Sequence, residues 1–390
     1  MSWYNNFMKW YYWILILLLF AVRFFVSTLS YNNDMNNHFS WVNSIKQNGL
    51  MGFYERDFSP FAKANYPPLI NESFWVSDRI FEKSGLDDTK IKAALYKTPA
   101  VATETIAIVL LGLVFSPWIL LVLLINPGIF YNTLLWGQTE DLMAGFIVFC
   151  LYFTFREKAY LSWLMFLVAL LVKQSALIFL PMILLINCKQ FKIKANIYPL
   201  LLCIVLFALF FIPYYAGDFL VGAFKFLITE SQGQIHQAQA SVNALNFWYL
   251  IGQNQVADSR QFLGLSYRTI GIILTGLAYI HLMYLAMKRK LDLKKSLILV
   301  GLVNFAVCMF MTRVHERHLL PTLIFIVPVI LSSYYGLSIY IVTSLISFYN
   351  LYLIWQERFK TARFELLAFL SLVLVACYFG FLYLFSKDSK

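Results

Sequence analysis

The sequence predicts an all-α polytopic membrane protein of about 12 transmembrane helices, within a range of about 10–14. Three observations predict it. Hydrophobic residues make up 60% of the 390, aromatics 18% and charged residues only 13%, far from a soluble globular average. Several apolar runs, such as Met8–Val26 and Leu366–Phe385, approach the ~20 residues that cross a bilayer. The basic residues gather in the short connections between such runs.

That third observation also sets the topology. Arg156/Lys158, Lys189/Lys192/Lys194, Lys288/Arg289/Lys290 and Lys294/Lys295 lie between apolar segments, with Lys9 at one end and Lys387 and Lys390 at the other. These thirteen basic residues, less Glu157, Asp292 and Asp388, give +10 of the formal net charge of +11. Cytoplasmic connections carry such an excess, so the termini are expected in the cytoplasm and no nucleic-acid partner is implied. The stretch Leu29–Lys97 holds eight basic and eight acidic residues and nets zero. It is expected as one large extracytoplasmic loop. All five cysteines lie in or beside apolar segments, which indicates neither a disulfide framework nor a zinc site.

Taken in order, the first span is Met8–Thr28, a retained anchor without a small-x-small cleavage pattern, with Arg23 snorkelling near its outer end. Pro99–Phe115 returns. Pro117–Phe130 runs outward, breaking at Asn126-Pro127-Gly128 before Trp136-Gly137-Gln138-Thr139-Glu140-Asp141. Leu142–Phe155 returns again. Tyr160–Ile186 has basic flanks on both sides and is expected to cross twice, as two short helices meeting outside near Lys173; one kinked span is the alternative and would invert everything downstream. Tyr198–Tyr215 leads to a second outer loop, about 217–268. Thr269–Met287, Ser296–Met311, Leu319–Ser332, Leu337–Trp355 and Leu366–Phe385 complete the set. This count leaves Arg358, Lys360 and Arg363 outside, against the charge rule. No repeat or linker divides the chain, so 1–390 reads as one domain.

The unusual polar groups then fall on one face: Asp34, Tyr66, Glu104, Trp136, Gln138, Glu140, Asp141, Lys173, Asn246, Arg313, His315, Glu316 and Arg317. Ionisable residues near a bilayer are costly and mark function by default. Each also has an ordinary reading. Asp34 could be a solvated loop carboxylate, and Tyr66-Pro67-Pro68 a stiff turn. Glu104 could be a paired structural carboxylate, Lys173-Gln174 a hairpin tip, and Arg313–His318 an interfacial cap. In combination they suit an anionic, membrane-bound substrate. Arg313, Arg317, His315 and Lys173 could hold a phosphate, with arginine as a bidentate fork. A carboxylate at Asp34 could take a proton from an attacking hydroxyl. With neither G-x-G-x-x-G nor a Walker loop, a phosphate-linked donor is expected on a lipid.

These blocks resemble a GT-C-type integral membrane glycosyltransferase. Asp34 with Phe39 and Trp41 resembles the family's acidic motif of the first outer loop. Tyr66-Pro67-Pro68-Leu69, Tyr96-Lys97-Thr98-Pro99-Ala100, Asn126-Pro127 leading to Trp136-Gly137-Gln138, Lys173-Gln174, Asn243–Trp248 and His315-Glu316-Arg317 before Pro321 recur in the same order in one branch. That branch holds bacterial mannosyltransferase-like proteins related to the second mannosyltransferase of GPI-anchor synthesis, and is similar to lumenal glucosyltransferases that extend dolichol-linked oligosaccharides. The resemblance covers Met8 to Pro321. Two departures stand out: Glu140 replaces the aspartate of Trp-Gly-Gln-x-Asp, with Asp141 next, and Glu104 replaces an aspartate. Which of Glu140 and Asp141 faces the site stays open.

The resemblance implies inverting transfer of a hexose, mannose or glucose, from a polyprenyl-phosphate donor to an acceptor hydroxyl on a glycan, glycolipid or protein. Asp34 would be the general base, and Arg317, His315 and Lys173 would stabilise the leaving phosphate. A bacterial plasma membrane is the implied location. No cofactor is implied; the carboxylates are too scattered to assign a metal site, and a divalent cation stays open. The rival class is a transporter or flippase of a lipid-linked or anionic solute, although such proteins place polar groups at the midplane on broken helices. A polymerase or ligase would give no reason for the Trp-Gly-Gln and His-Glu-Arg blocks.

Overall fold

The computed structural model describes residues 10–215, 217, 219–231 and 238–387. Met8, Lys9, Asp388 and Lys390, together with Asp218 and residues 232–237 of the second outer loop, lie outside the described residues. The chain is all-α and 77% helical.

In chain order, α1 (Trp10–Ser27) precedes α2 (Asp34–Asn48), α3 (Pro68–Ser84) and α4 (Thr89–Val114). Then α5 (Pro117–Leu124) and α6 (Pro127–Phe130) are short, and α6 runs on as a π-helix over Tyr131–Trp136. Next come α7 (Glu140–Phe155), α8 (Ala159–Val172), α9 (Leu180–Gln190), α10 (Ile193–Phe210) and α11 (Phe219–Ser231). The one-turn α12 (Phe247–Leu250) and a hairpin of β1 (Gln261–Phe262) and β2 (Leu265–Ser266) lead into α13 (Tyr267–Met287). The chain closes with α14 (Leu293–Phe310), α15 (Leu320–Ile326), α16 (Tyr334–Trp355) and α17 (Phe364–Lys387).

Among the described residues six helices are long and apolar enough to cross a membrane: α4, α13, α14, α16, α17 and the run Ile193–Tyr214 that begins with α10. The pair Pro117–Leu124 and Pro127–Trp136 makes a seventh if its 53° bend is one broken span. The apolar helices Tyr12–Ser27, Ala159–Val172 and Gln174–Gln190 are shorter. These helices are consistent with a membrane protein. The shortening has local causes. Asn126 turns the chain by accepting from Gly128 N (3.0 Å) and Ile129 N (3.3 Å). Lys173 is extended and separates α8 from the 3-10 turn Gln174–Phe179, so the expected break is there.

The expected first loop is mostly helical. Buried Met35, His38, Trp41, Val42 and Ile45 form one helical stripe on α2. Prolines open α3, where a missing N–H costs nothing. Asp78 on α3 accepts from Lys46 (2.9 Å), Lys92 (2.8 Å) and Tyr96 (2.9 Å), pinning α2 and α3 to α4. Burial pushes its carboxyl up, but these donors hold it below the usual range. The helix α4 starts ahead of Pro99, where the apolar run begins, because Asp88 caps it by accepting from Lys90 N (2.7 Å).

At the opposite end of the bundle, basic side chains close helix C-termini. Lys189 donates to the carbonyls of Ala286 (2.8 Å), Met287 (2.9 Å) and Arg289 (2.7 Å). Arg289 donates in turn to Phe385 O, and to Ser386 O at 2.9 Å. The segment holding Arg358, Lys360 and Arg363 belongs to the other end: Tyr249 of α12 packs against Phe359 (5.7 Å) and Phe364 (5.8 Å).

Candidate functional site

The first turn of α2 carries Asp34, placed where the positive end of a helix dipole favours an anion. Its Oδ2 accepts from Trp136 Nε1 at 2.8 Å and Gln138 Nε2 at 3.0 Å. No hydrogen bond among the described residues reaches Oδ1. The side chain is half-buried, so this oxygen remains available.

The two donors are aimed by the π-helix. Gly137 N and Gln138 N both reach Asn132 O, at 2.9 and 3.1 Å, which closes a wide turn. Gly137 then leaves at φ +84°, a conformation suited to glycine, and a Cβ there would strike the Met35 methyl and the Lys97 side chain. Lys97 is the staple beneath. Its ammonium donates to Ser27 O (3.2 Å), Ser30 O (3.0 Å), Ser30 Oγ (3.4 Å), Leu134 O (3.0 Å) and Leu135 O (3.1 Å). It thereby ties the end of α1 to the π-helix from a fully buried position on α4.

From Gln138 a continuous polar chain crosses the site. Tyr66 Oη donates to Gln138 Oε1 at 3.4 Å, and the Lys173 ammonium lies 5.6 Å from the Tyr66 ring centroid. Lys173 pairs with Glu140 in the first turn of α7. Glu140 Oε1 also lies 3.3 Å from Arg317 Nε, an ion-pair contact without hydrogen-bond alignment. Arg317 Nη1 donates to Glu316 at 3.0 Å, and His315 Nδ1 lies 3.9 Å from Glu316. Burial pushes the His315 imidazole far below its ordinary pKa, with Arg317 adding to the effect, so this ring is neutral at physiological pH. His315 therefore enters this set as a neutral hydrogen-bonding group rather than as a third cation.

The structure thus brings Asp34, Tyr66, Trp136, Gln138, Glu140, Lys173, His315, Glu316 and Arg317 into one contiguous set. Of the two adjacent acids, Glu140 faces Lys173 and Arg317. Asp141 instead accepts from Asn132 and Thr133, both at 2.8 Å. Glu104 pairs with Arg23 from α1, the structural alternative at that position. Arg313 is engaged by Asp258 through Nε at 2.7 Å, which fastens the segment ahead of α13. Asn246 caps α12, accepting from Tyr249 N at 3.1 Å and donating to Cys308 O at 3.3 Å. Its neighbours Val242 and Asn243 bridge to His315, so this block supports the histidine loop from behind.

Sequence reasoning singled out neither His38 nor Trp355. His38 is one turn beyond Asp34 on the same helical face, stacked on Phe74 (4.5 Å) and touching Tyr66 (5.4 Å). Its i+4 spacing from Asp34 was the available signal. Trp355, at the end of α16, packs edge-on against Trp136 at 5.7 Å; an aromatic in an apolar helix gives no such signal. Gln174 donates to Asn65 O at 3.1 Å and joins the Lys173 break to the first loop. Among the described residues no group of three or more His, Cys, Asp or Glu side chains could hold a metal ion. No protein-family model matches the chain, and no curated protein matches it.

Proposed function

We propose that the chain is a single-domain integral membrane glycosyltransferase of the GT-C type. In this reading it has about twelve spans counting the broken and short ones, cytoplasmic termini and an extracytoplasmic site, most consistently in a bacterial plasma membrane. It moves a hexose from a polyprenyl-phosphate donor to an acceptor hydroxyl with inversion. The observation that carries the reading is the Asp34 carboxylate: Trp136 and Gln138 hold one oxygen, and the other is open.

In that reaction Asp34 Oδ1 takes the proton of the acceptor hydroxyl as its oxygen bonds to the anomeric carbon. The anomeric carbon–oxygen bond to phosphate breaks on the opposite face, and its electron pair leaves with the phosphate. Lys173 and Arg317 share Glu140, so neither cation is satisfied by that carboxylate alone, and both remain able to meet the developing phosphate charge. General-base help supplies typically ~10²–10⁴-fold and oriented charge on the leaving group ~10²–10³-fold per donor.

The test is incubation of the purified protein with radiolabelled polyprenyl-phosphate mannose or glucose and candidate acceptors. Transfer or donor hydrolysis is expected from the parent, and loss of both from Asp34→Asn with folding and membrane insertion intact. Near-normal turnover by Asp34→Asn removes the assigned base. Donor movement across liposomes without bond cleavage selects the transporter instead.

A further inference from the structure

The second outer loop ends in the hairpin β1–β2, whose chemistry the proposed reaction leaves unused. Its pairing register sets Phe262 opposite Leu265 and Gln261 opposite Ser266. Side chains alternate across a strand, so Phe262 and Leu265 share one face of the ribbon and the polar pair takes the other. Phe262, Leu263 and Leu265 are 58%, 88% and 45% exposed, so the apolar face and the tip are bare among the described residues.

The tip is also conformationally unusual. Leu263 and Gly264 form the two-residue turn at φ +51° and +80°. A turn with both residues at positive φ favours Asn-Gly, and a leucine in the first position is strained. A bulky apolar side chain held at the most exposed point of a strained turn points to a contact made by that side chain.

Position identifies the partner. Ser266 of β2 is the N-cap of α13, accepting from Thr269 N at 3.1 Å, so hairpin and helix are continuous. Helix α13 is an apolar candidate span with only 17% of its window buried, and it exposes Ile272, Ile273, Leu277 and Ile280. The hairpin therefore joins directly onto the exposed apolar surface at the start of a candidate span. Arg260, one residue before β1, is exposed and makes no side-chain bond among the described residues; it has the chemistry to meet a lipid phosphate.

We infer that the β1–β2 hairpin is a lipid-binding element. Phe262, Leu263 and Leu265 dip into the acyl–headgroup boundary of the bilayer beside α13, and Arg260 meets the phosphodiester layer. The element rests on the membrane helices and not on glycosyl transfer.

The experiment places bimane on Leu263→Cys in full-length Cys188→Ser protein, since Cys188 is the only exposed free cysteine. The protein is held one copy per phosphatidylcholine nanodisc, and Lys63→Cys in the exposed first loop serves as the aqueous control. A nitroxide on the lipid is expected to quench the label at 263 several-fold more than at 63, and aqueous iodide to do the reverse. A second variant guards against misfolding. Leu263→Asn suits the turn, so thermal unfolding should be unchanged or raised while a label on Phe262→Cys becomes open to iodide. Equal iodide access at 263 and 63 overturns the inference. Shielding of 263 from iodide and lipid nitroxide alike also overturns it, because protein then covers the tip.

Discussion

Glu140→Gln offers the sharpest test of how the site is held together. Glu140 is shared by Lys173 and Arg317, and the Lys173–Glu140 side chains are only 8% and 2% exposed. At the 3.3 Å of the Arg317 contact, unit charges attract by about 5 kcal/mol at an effective dielectric of ~20, before desolvation is subtracted. Removing one partner of a buried pair typically costs ~3–5 kcal/mol, because the other charge stays buried without compensation. Glu140→Gln strands Lys173 and leaves Arg317 with Glu316 alone, and should reach that range. Lys173→Met leaves Glu140 with Arg317 and should cost less, about 1–3 kcal/mol. The double variant Glu140→Gln/Lys173→Met strands neither cation, since Arg317 retains Glu316, and should be more stable than Glu140→Gln alone. Thermal unfolding of all four proteins in nanodiscs, followed by tryptophan fluorescence, gives the order directly. Additive losses, with the double variant the least stable, would refute a shared carboxylate.

Two further outcomes follow from the same geometry. Trp136→Phe and Gln138→Leu each remove one hydrogen bond from the Asp34 oxygen, about 1.5–3 kcal/mol for a charged acceptor, and so should each lower the proposed transfer by roughly 10–150-fold. The double variant should lose less than the product, since both bonds end on one atom; donor turnover equal to the parent would detach these residues from Asp34. Burial of His38 lowers its pKa from 6.5 to about 4, offset in part by Asp34. The neutral ring is favoured in the native state, so its stability contribution is full above pH ~6.5 and lost as pH falls toward ~4, by up to about 3 kcal/mol. Melting curves from pH 8 to 5 should fall more steeply for the parent than for His38→Phe, and identical slopes would contradict the assignment.

Much of the site was legible because its residues sit in short blocks of uncommon composition. Asp34, Trp136-Gly137-Gln138, Lys173 and His315-Glu316-Arg317 were singled out one by one, and their mutual contacts are long-range in the chain. What sequence could not supply was orientation. Glu140 and Asp141 are neighbours on a helix, roughly 100° apart about its axis, so one reaches Lys173 while the other turns to Asn132. Arg23 and Arg313 pair with Glu104 and Asp258, and no periodicity links such partners. The apolar count behaved similarly. Hydropathy counts runs; the breaks at Asn126 and Lys173 were expected and the one at Pro328 was not, and four of the expected crossings appear as the short or bent pieces α5–α6, α8, α9 and α15.

The π-helix over Tyr131–Trp136 carries a consequence of another kind. Its wide turn holds one residue more than an α-helical turn would. Everything beyond it inherits that surplus: the side of the chain from which the indole of Trp136 approaches α2, and the choice between Glu140 and Asp141 as the acid presented to α8. Among proteins of related design, a single-residue gap at this point would exchange those roles while leaving every nearby residue type intact. Alignment by residue identity alone would slide past such an exchange, because the information lies in spacing and not in any letter.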